Sequence, residues 1–109
     1  MDLFCKIAKH EIPAKIRYED EKFIALDDIN PKAPVHILII PKEHIPSVSA
    51  LKDEDQELIG KMILKARDIA KEAGLESFRL VFNSGRDAGQ SVDHIHLHIL
   101  GGKVLGDLG

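Results

Sequence analysis

The sequence predicts an α+β fold on three observations. Residues 53–73 repeat their apolar side chains at helical spacing, the runs 16–18, 23–27 and 35–40 read as consecutive strands, and 92–100 places histidines and aliphatics at strict two-residue spacing. Successive strands with one long helix, in place of regular strand–helix alternation, indicate an α+β arrangement.

A short helix is expected at residues 3–9, with Pro13 preventing its continuation. Residues 16–18 and 23–27 form a hairpin across the charged turn Glu19-Asp20-Glu21-Lys22, and 30–34 is a loop carrying two prolines. The run 35–40, bounded by Pro34 and Pro41 and interrupted only by His36, predicts a central strand. Asp53 can cap the long helix with Gln56 reaching back; Leu58, Met62, Ala66, Ile69 and Ala73 share a face, and Gly74 suits a left-handed stop. That stripe must lie on a sheet. Residues 78–82 and 92–100 supply two further strands, joined by the glycine-bearing loop 83–91.

With 109 residues, 44% of them hydrophobic, the chain is long enough for one core and too short for two ordinary domains, so a single domain over 1–109 is expected. Fifteen basic and 18 acidic residues give a formal charge of −3, and their mixing leaves no basic patch for nucleic acid, although a mononucleotide fits. No apolar run approaches the ~20 residues of a membrane-spanning helix, and Met1-Asp2-Leu3 lacks the charged start of a secretory signal. The single cysteine, Cys5, precludes an internal disulfide and fits a reducing compartment. A cytoplasmic protein without nucleic-acid or membrane partners is expected.

The densest chemical signal is His94-Ile95-His96-Leu97-His98-Ile99-Leu100-Gly101-Gly102. On an extended strand the three imidazoles share one face and Ile95, Leu97 and Ile99 the other. A lone histidine such as His10 is ordinarily a satisfied or half-exposed residue. Three in register, each costing roughly 1–3 kcal/mol if buried without a partner, point to a ligand. A metal cage fits poorly, because positions two and four apart lie about 6.8 and 13 Å apart along a strand while metal–nitrogen bonds are about 2.0–2.1 Å. A catalytic row suits the spacing better. Taken alone, the loop 85–89 is either a turn or a place where backbone amides face an anion, and Asp27-Asp28 either solvated turn charges or a binding carboxylate.

The triad pattern, together with FCKIAKHEIPAKIR at 4–17, APVHILIIPK at 33–42 and GQSV at 89–92, resembles the histidine triad (HIT) family, and within it the Hint branch of purine nucleoside phosphoramidases. The resemblance covers nearly the whole chain. It implies a five-stranded antiparallel sheet with one long and one short helix, in a homodimer whose sheets merge through the long helix and the strand 78–82. It implies hydrolysis of the P–N bond of purine nucleoside phosphoramidates, including lysyl-adenylate-like adducts, through a nucleotide carried on His96. Ser91 and His98 resemble the leaving-group and phosphate contacts, with His36 as a fourth active-site histidine and Asn83, Gly89 and Gln90 beside them. Asp28 matches the ribose-binding carboxylate, and Leu26 and Ile29 the walls around the purine.

Two departures stand out. Where several relatives carry Cys-x-x-Cys, this chain reads Asp2-Leu3-Phe4-Cys5, so the zinc site implied by the resemblance would be a mixed one of Asp2, Cys5, His44 and His94; no cofactor is required and a structural zinc is not expected. The tail 103–109 lacks the tryptophan by which some Hint proteins reach the partner's active site. Alternatives to the phosphoramidase are a dinucleoside polyphosphate hydrolase and a nucleotide-binding regulatory or scaffold protein; Gly101-Gly102 after the triad favours the Hint branch over the former.

Overall fold

A computed structural model describes residues 2–108; Met1 and Gly109, the ends of the expected 1–109 domain, lie outside the described residues. Helix α1 (Leu3–Ala8) opens the chain, capped by the Asp2 carboxylate, which accepts Cys5 N–H at 2.7 Å. It stops earlier than Pro13 requires, because His10 turns to a φ of +60°. Strands β1 (Ile16–Glu19) and β2 (Phe23–Asp27) then form the expected hairpin. Asp20 fixes its turn by accepting the N–H groups of Lys22 and Phe23 at 2.7 and 2.8 Å.

Strand β3 (Val35–Pro41) is central, as expected from its apolar run, and β4 (Phe78–Phe82) and β5 (Leu97–Gly101) complete a five-stranded sheet of order β1-β2-β3-β5-β4 in which every neighbouring pair is antiparallel. Helix α2 (Gln56–Glu72) covers one face. Strand alternation sorts the core. Phe23, Ala25, Ile37, Ile39, Leu97 and Ile99 pack against Met62, Ala66, Ile69 and Ala70 of α2. On the opposite face, Ile24, Leu26, Leu38 and Ile40 pack against Phe4 and Ile7 of α1. His36 and His98 belong to this second face.

Two boundaries differ from expectation. Asp53–Asp55 form a single 3-10 turn ahead of α2, and the Asp55 carboxylate, not the Asp53–Gln56 pair, accepts the entering N–H, that of Lys52 at 2.9 Å. The far end behaves as predicted: Gly74 takes a φ of +82°, Leu75 N–H reaches Ala70 O and Gly74 N–H reaches Lys71 O, both at 3.0 Å. The second difference concerns β5, which begins at Leu97 and not at Val92. Pairing lapses where β3 ends in Pro41, which has no N–H to give, and Ile95 N–H bonds to Ile45 O at 2.7 Å instead. Of the three histidines only His98 therefore lies in the strand. The picture of three imidazoles on one strand face is replaced by a bent approach that sends His94 elsewhere.

β4 is an edge strand, and Ile63 and Leu64 of α2 are 42% and 52% exposed. Among the described residues no helix is long and apolar enough to cross a membrane. Gly101, the end of β5, is needed for a close approach: a Cβ there would lie 2.9 Å from Leu75 Cδ1 and 3.2 Å from Ser77 O. Gly101→Ala is expected to destabilise the fold by about 1–3 kcal/mol through overpacking, read as a lower urea midpoint at unchanged slope.

Candidate active site

Hydrogen bonds fix which nitrogen of each imidazole carries its proton. Lys32 N–H donates to His36 Nδ1 at 3.0 Å, so the His36 proton sits on Nε2. That N–H lies 2.9 Å from His98 Nδ1 and 3.4 Å from the Asp28 carboxylate. His98 therefore accepts at Nδ1 and carries its own proton on Nε2; the nearest side-chain nitrogen, Asn83 Nδ2 at 3.5 Å, is also a donor, so this N–H is left for a ligand. His96 is set differently. Its Nδ1–H donates to the His94 carbonyl at 2.8 Å, leaving the Nε2 lone pair unprotonated. Phe4 closes edge-on against the His96 ring, centroids 4.9 Å apart, and the His98 ring is equally near on another side.

These side chains line two cavities that meet at Ser91 and His98. The first, about 890 Å³, is bounded by α1, Leu26, Asp28, Ile29, Leu38 and His96. The second, about 660 Å³, is lined by His36, Asn83 and the tail, and not by His96. Leu26 is buried in a cavity wall, whereas Ile29 is 88% exposed at its mouth. Asp28 Oδ1 accepts Asn30 N–H at 2.8 Å. Gly89 and Ser91 border both cavities.

The loop leading to the triad departs from the anion-nest reading. The N–H groups of Ala88, Gly89 and Gln90 are taken by carbonyls of Gly85 and Arg86, and that of Gly85 by Gln90 Oε1 at 2.9 Å. Gln90 does not reach either cavity lining. It is buried, and its Nε2 donates to Pro46 O and Val92 O at 2.7 and 2.9 Å, so it pins the loop that carries Ser91. His10 is the ordinary surface histidine expected, 58% exposed beside Glu19. Phe4, Leu38 and the Lys32 amide were not singled out in the sequence; Phe4 lies within a quoted motif, but nothing local marks it as a neighbour of His96.

His94 turns away into a second cluster. Its Nε2–H donates to Pro41 O at 2.7 Å, which leaves Nδ1 bare toward Cys5 Sγ at 3.4 Å and Asp2 Oδ2 at 3.2 Å. His44 Nδ1 completes the group, 2.9 Å from Asp2 Oδ2 and 3.5 Å from Cys5 Sγ. The four residues named from the sequence are thus brought together. Burial raises the Cys5 thiol pKa, assisted by the hydrogen bond and charge of Asp2; burial opposes ionisation of Asp2, but Cys5 N–H and His94 outweigh it and lower its pKa.

A family model described as scavenger mRNA decapping enzyme C-term binding matches residues 1–107. An uncharacterized HIT-like protein of Synechocystis sp., slr1234, is 51% identical over 102 residues, 93% of this chain and 90% of its own length. The chain belongs to the histidine triad family. A HIT family hydrolase from Legionella pneumophila, known from its crystal structure, is 48% identical with a TM-score of 0.91, covering 93% of this chain and 92% of that one. A zinc-bound histidine triad protein from Mycobacterium smegmatis is 31% identical with a TM-score of 0.79, covering 94% of this chain and 75% of that one.

In this HIT chain burial keeps the central imidazoles neutral. It lowers the pKa of His36 and of His96, and carries His98 down to about 4, where the charges of His96 and His36 add to the effect. The unfolded chain takes up protons on these rings near pH 6.5 and the folded chain does not, so the unfolded state binds more protons as pH falls. Unfolding free energy is therefore expected to drop from pH 6.5 toward pH 4, and His98→Asn to flatten that slope, in urea titrations at several pH values.

Proposed function

We propose that the protein hydrolyses the P–N bond of purine nucleoside 5'-phosphoramidates through a nucleotide held on His96. The observation that carries this reading is the His96 Nδ1–H bond to the His94 carbonyl, because it presents the opposite nitrogen as a neutral nucleophile at pH 7. The purine would lie between Leu26 and Ile29 in the first cavity, with the ribose hydroxyls on the free lone pairs of Asp28.

The Nε2 lone pair attacks the α-phosphorus and forms a P–N bond; the bond to the amine breaks, and its electron pair leaves with the amine nitrogen. That nitrogen takes up a proton relayed from solvent through the Ser91 hydroxyl, which makes no hydrogen bond among the described residues and borders both cavities. The substituted His96 ring is cationic, and its Nδ1–H stays on the His94 carbonyl, which stabilises that charge. His98 Nε2–H serves the phosphate oxygens as a fixed donor. Water then attacks phosphorus, its proton returning to solvent through the Ser91 hydroxyl, and the P–Nε2 electron pair returns to His96. Neutral, oriented rings support turnover over a purely nucleotide-binding regulatory role.

A homodimer also suits the chain, since the β4 edge and the exposed Ile63 and Leu64 of α2 would be covered by a second copy. The Asp2, Cys5, His44 and His94 donors support a mixed structural zinc site despite the missing second thiolate. A tetrahedral ion with bonds of about 2.0–2.3 Å separates its ligands by about 3.3–3.8 Å; here Asp2 and Cys5 stand 2.9–3.5 Å from each other and from both imidazoles, and all four donor atoms lie within 4.8 Å of one another. The ion would supply rigidity, tying the start of α1 to the triad. Elemental analysis of protein purified without chelator is expected to give one zinc per chain, lost in Cys5→Ser together with a lower melting temperature; no zinc in the wild type would contradict the site.

His96→Ala is expected to reduce phosphoramidase turnover by about 10³-fold or more while leaving AMP binding intact. Asp28→Ala is expected to raise KM by about tenfold with kcat within about twofold. Quenching during turnover and weighing the intact protein should give a nucleotidyl adduct on the wild type and none on His96→Ala. An adduct on the variant, or faster turnover of a diadenosine polyphosphate than of adenosine phosphoramidate, would refute the reading.

A further inference from the structure

The second cavity shares Asp28, Asn30, Gly89, Ser91 and His98 with the first, yet lacks His96. In a displacement at phosphorus the entering and departing groups stand roughly in line on opposite sides. With the nucleophile bordering the first cavity, the departing group exits past Ser91 and His98 into the second. The chemistry of that second lining is distinct. Lys32, Arg79 and Lys103 all contribute to it, and none of the three has a carboxylate within ion-pairing distance among the described residues.

Arg79 faces this cavity because it stands opposite Leu100 in the β4–β5 register, on the His98 side of the sheet. One of its guanidinium nitrogens donates to Gly106 O at 2.8 Å, which holds the tail across the cavity and leaves other N–H groups for a ligand. Lys32 is the residue whose amide orients His36, so its side chain starts next to the imidazole relay. Two acids share the lining, Asp28 and Asp107, and Asp28 is already bonded to Asn30 N–H and faces His36. Cations therefore outnumber acids around the place where the departing group arrives.

We propose that this second cavity is an anion-binding leaving-group subsite, and that the preferred substrates are nucleoside phosphoramidates whose departing amine carries a carboxylate or a phosphate. The proposal rests on the hydrolase reading above and deepens it. As the P–Nε2 bond to His96 forms, the P–X bond breaks and its electron pair leaves with X. A carboxylate or phosphate on X then sits among Lys32, Arg79 and Lys103. Charge selection here is independent of the apolar first cavity, which reads the nucleoside.

The test compares two adenosine 5'-phosphoramidates of equal shape, one of β-alanine and one of its carboxamide, alongside calorimetric binding of ADP and of AMP. Wild type is expected to favour the carboxylate over the carboxamide, or ADP over AMP, by about five- to tenfold at low salt, with the preference shrinking as salt rises. The Lys32→Gln, Lys103→Gln double variant is expected to bring that ratio to within about twofold, while the Lys→Arg pair retains it. A carboxylate preference alone assigns an amino-acid-like departing group, and an ADP preference alone assigns a phosphate. No preference for either anion, or a preference that survives the double Gln substitution, overturns the subsite. If neither phosphoramidate is turned over, the phosphoramidase reading falls, while the ADP and AMP comparison still decides the subsite.

Discussion

The pairing of β3 with β5 sets Leu38 against His98 and His36 against Leu100 in the middle of the sheet. Antiparallel neighbours one register step apart bring the His36 and His98 rings within 2.9 Å on the face away from α2. Because Lys32 N–H claims His36 Nδ1, one backbone amide dictates the proton position on two successive rings. The polar relay depends on the apolar half of the same strands. Ile37, Ile39, Leu97 and Ile99 are fully or almost fully buried under α2, and a register slip of one residue would exchange them with the histidines.

His94 links two regions that are distant in sequence. Its ring is completely buried, held by Pro41 O and directed at Asp2 and Cys5, while its carbonyl fixes the His96 tautomer. The cap of α1 and the orientation of the His96 ring are thus tied together through His94. Asp2 takes part twice, accepting Cys5 N–H through one carboxylate oxygen and facing His44 and His94 with the other. Gln90 plays the corresponding role for the Ser91 loop, using its amide to hold three backbone groups from three places in the chain.

Much of this was legible in the sequence, and the reasons for the exceptions are physical. Periodicity over α2, the proline-bounded β3 and the whole of Phe78–Phe82 reported strong local preferences. The start of β5 was not legible, since alternation continues through His94 and His96 while the pairing that defines a strand is withdrawn by Pro41, more than 50 residues earlier. The capping residue of α2 slipped for a similar reason: Asp53 and Asp55 are chemically equivalent caps, and only the geometry of the entering turn separates them. Residue types pointed to the site, but not to the use of each side chain. Gln90 carries the donors and acceptor of a phosphate contact, yet other backbone groups use them. Family resemblance brought Asp2, Cys5, His44 and His94 to notice; strand spacing alone argued against a metal.

The proposed chemistry turns on proton position: His96 as the Nδ1–H tautomer with a free Nε2, and His36 and His98 as Nε2–H tautomers. Long-range ¹H–¹⁵N correlation spectra of ¹⁵N-histidine-labelled protein at neutral pH read this directly, ring by ring. The predicted result is a pyridine-type nitrogen at Nε2 of His96 and at Nδ1 of His36 and His98, with all three rings neutral. A protonated Nε2 on His96, as either the other tautomer or the imidazolium, would contradict it.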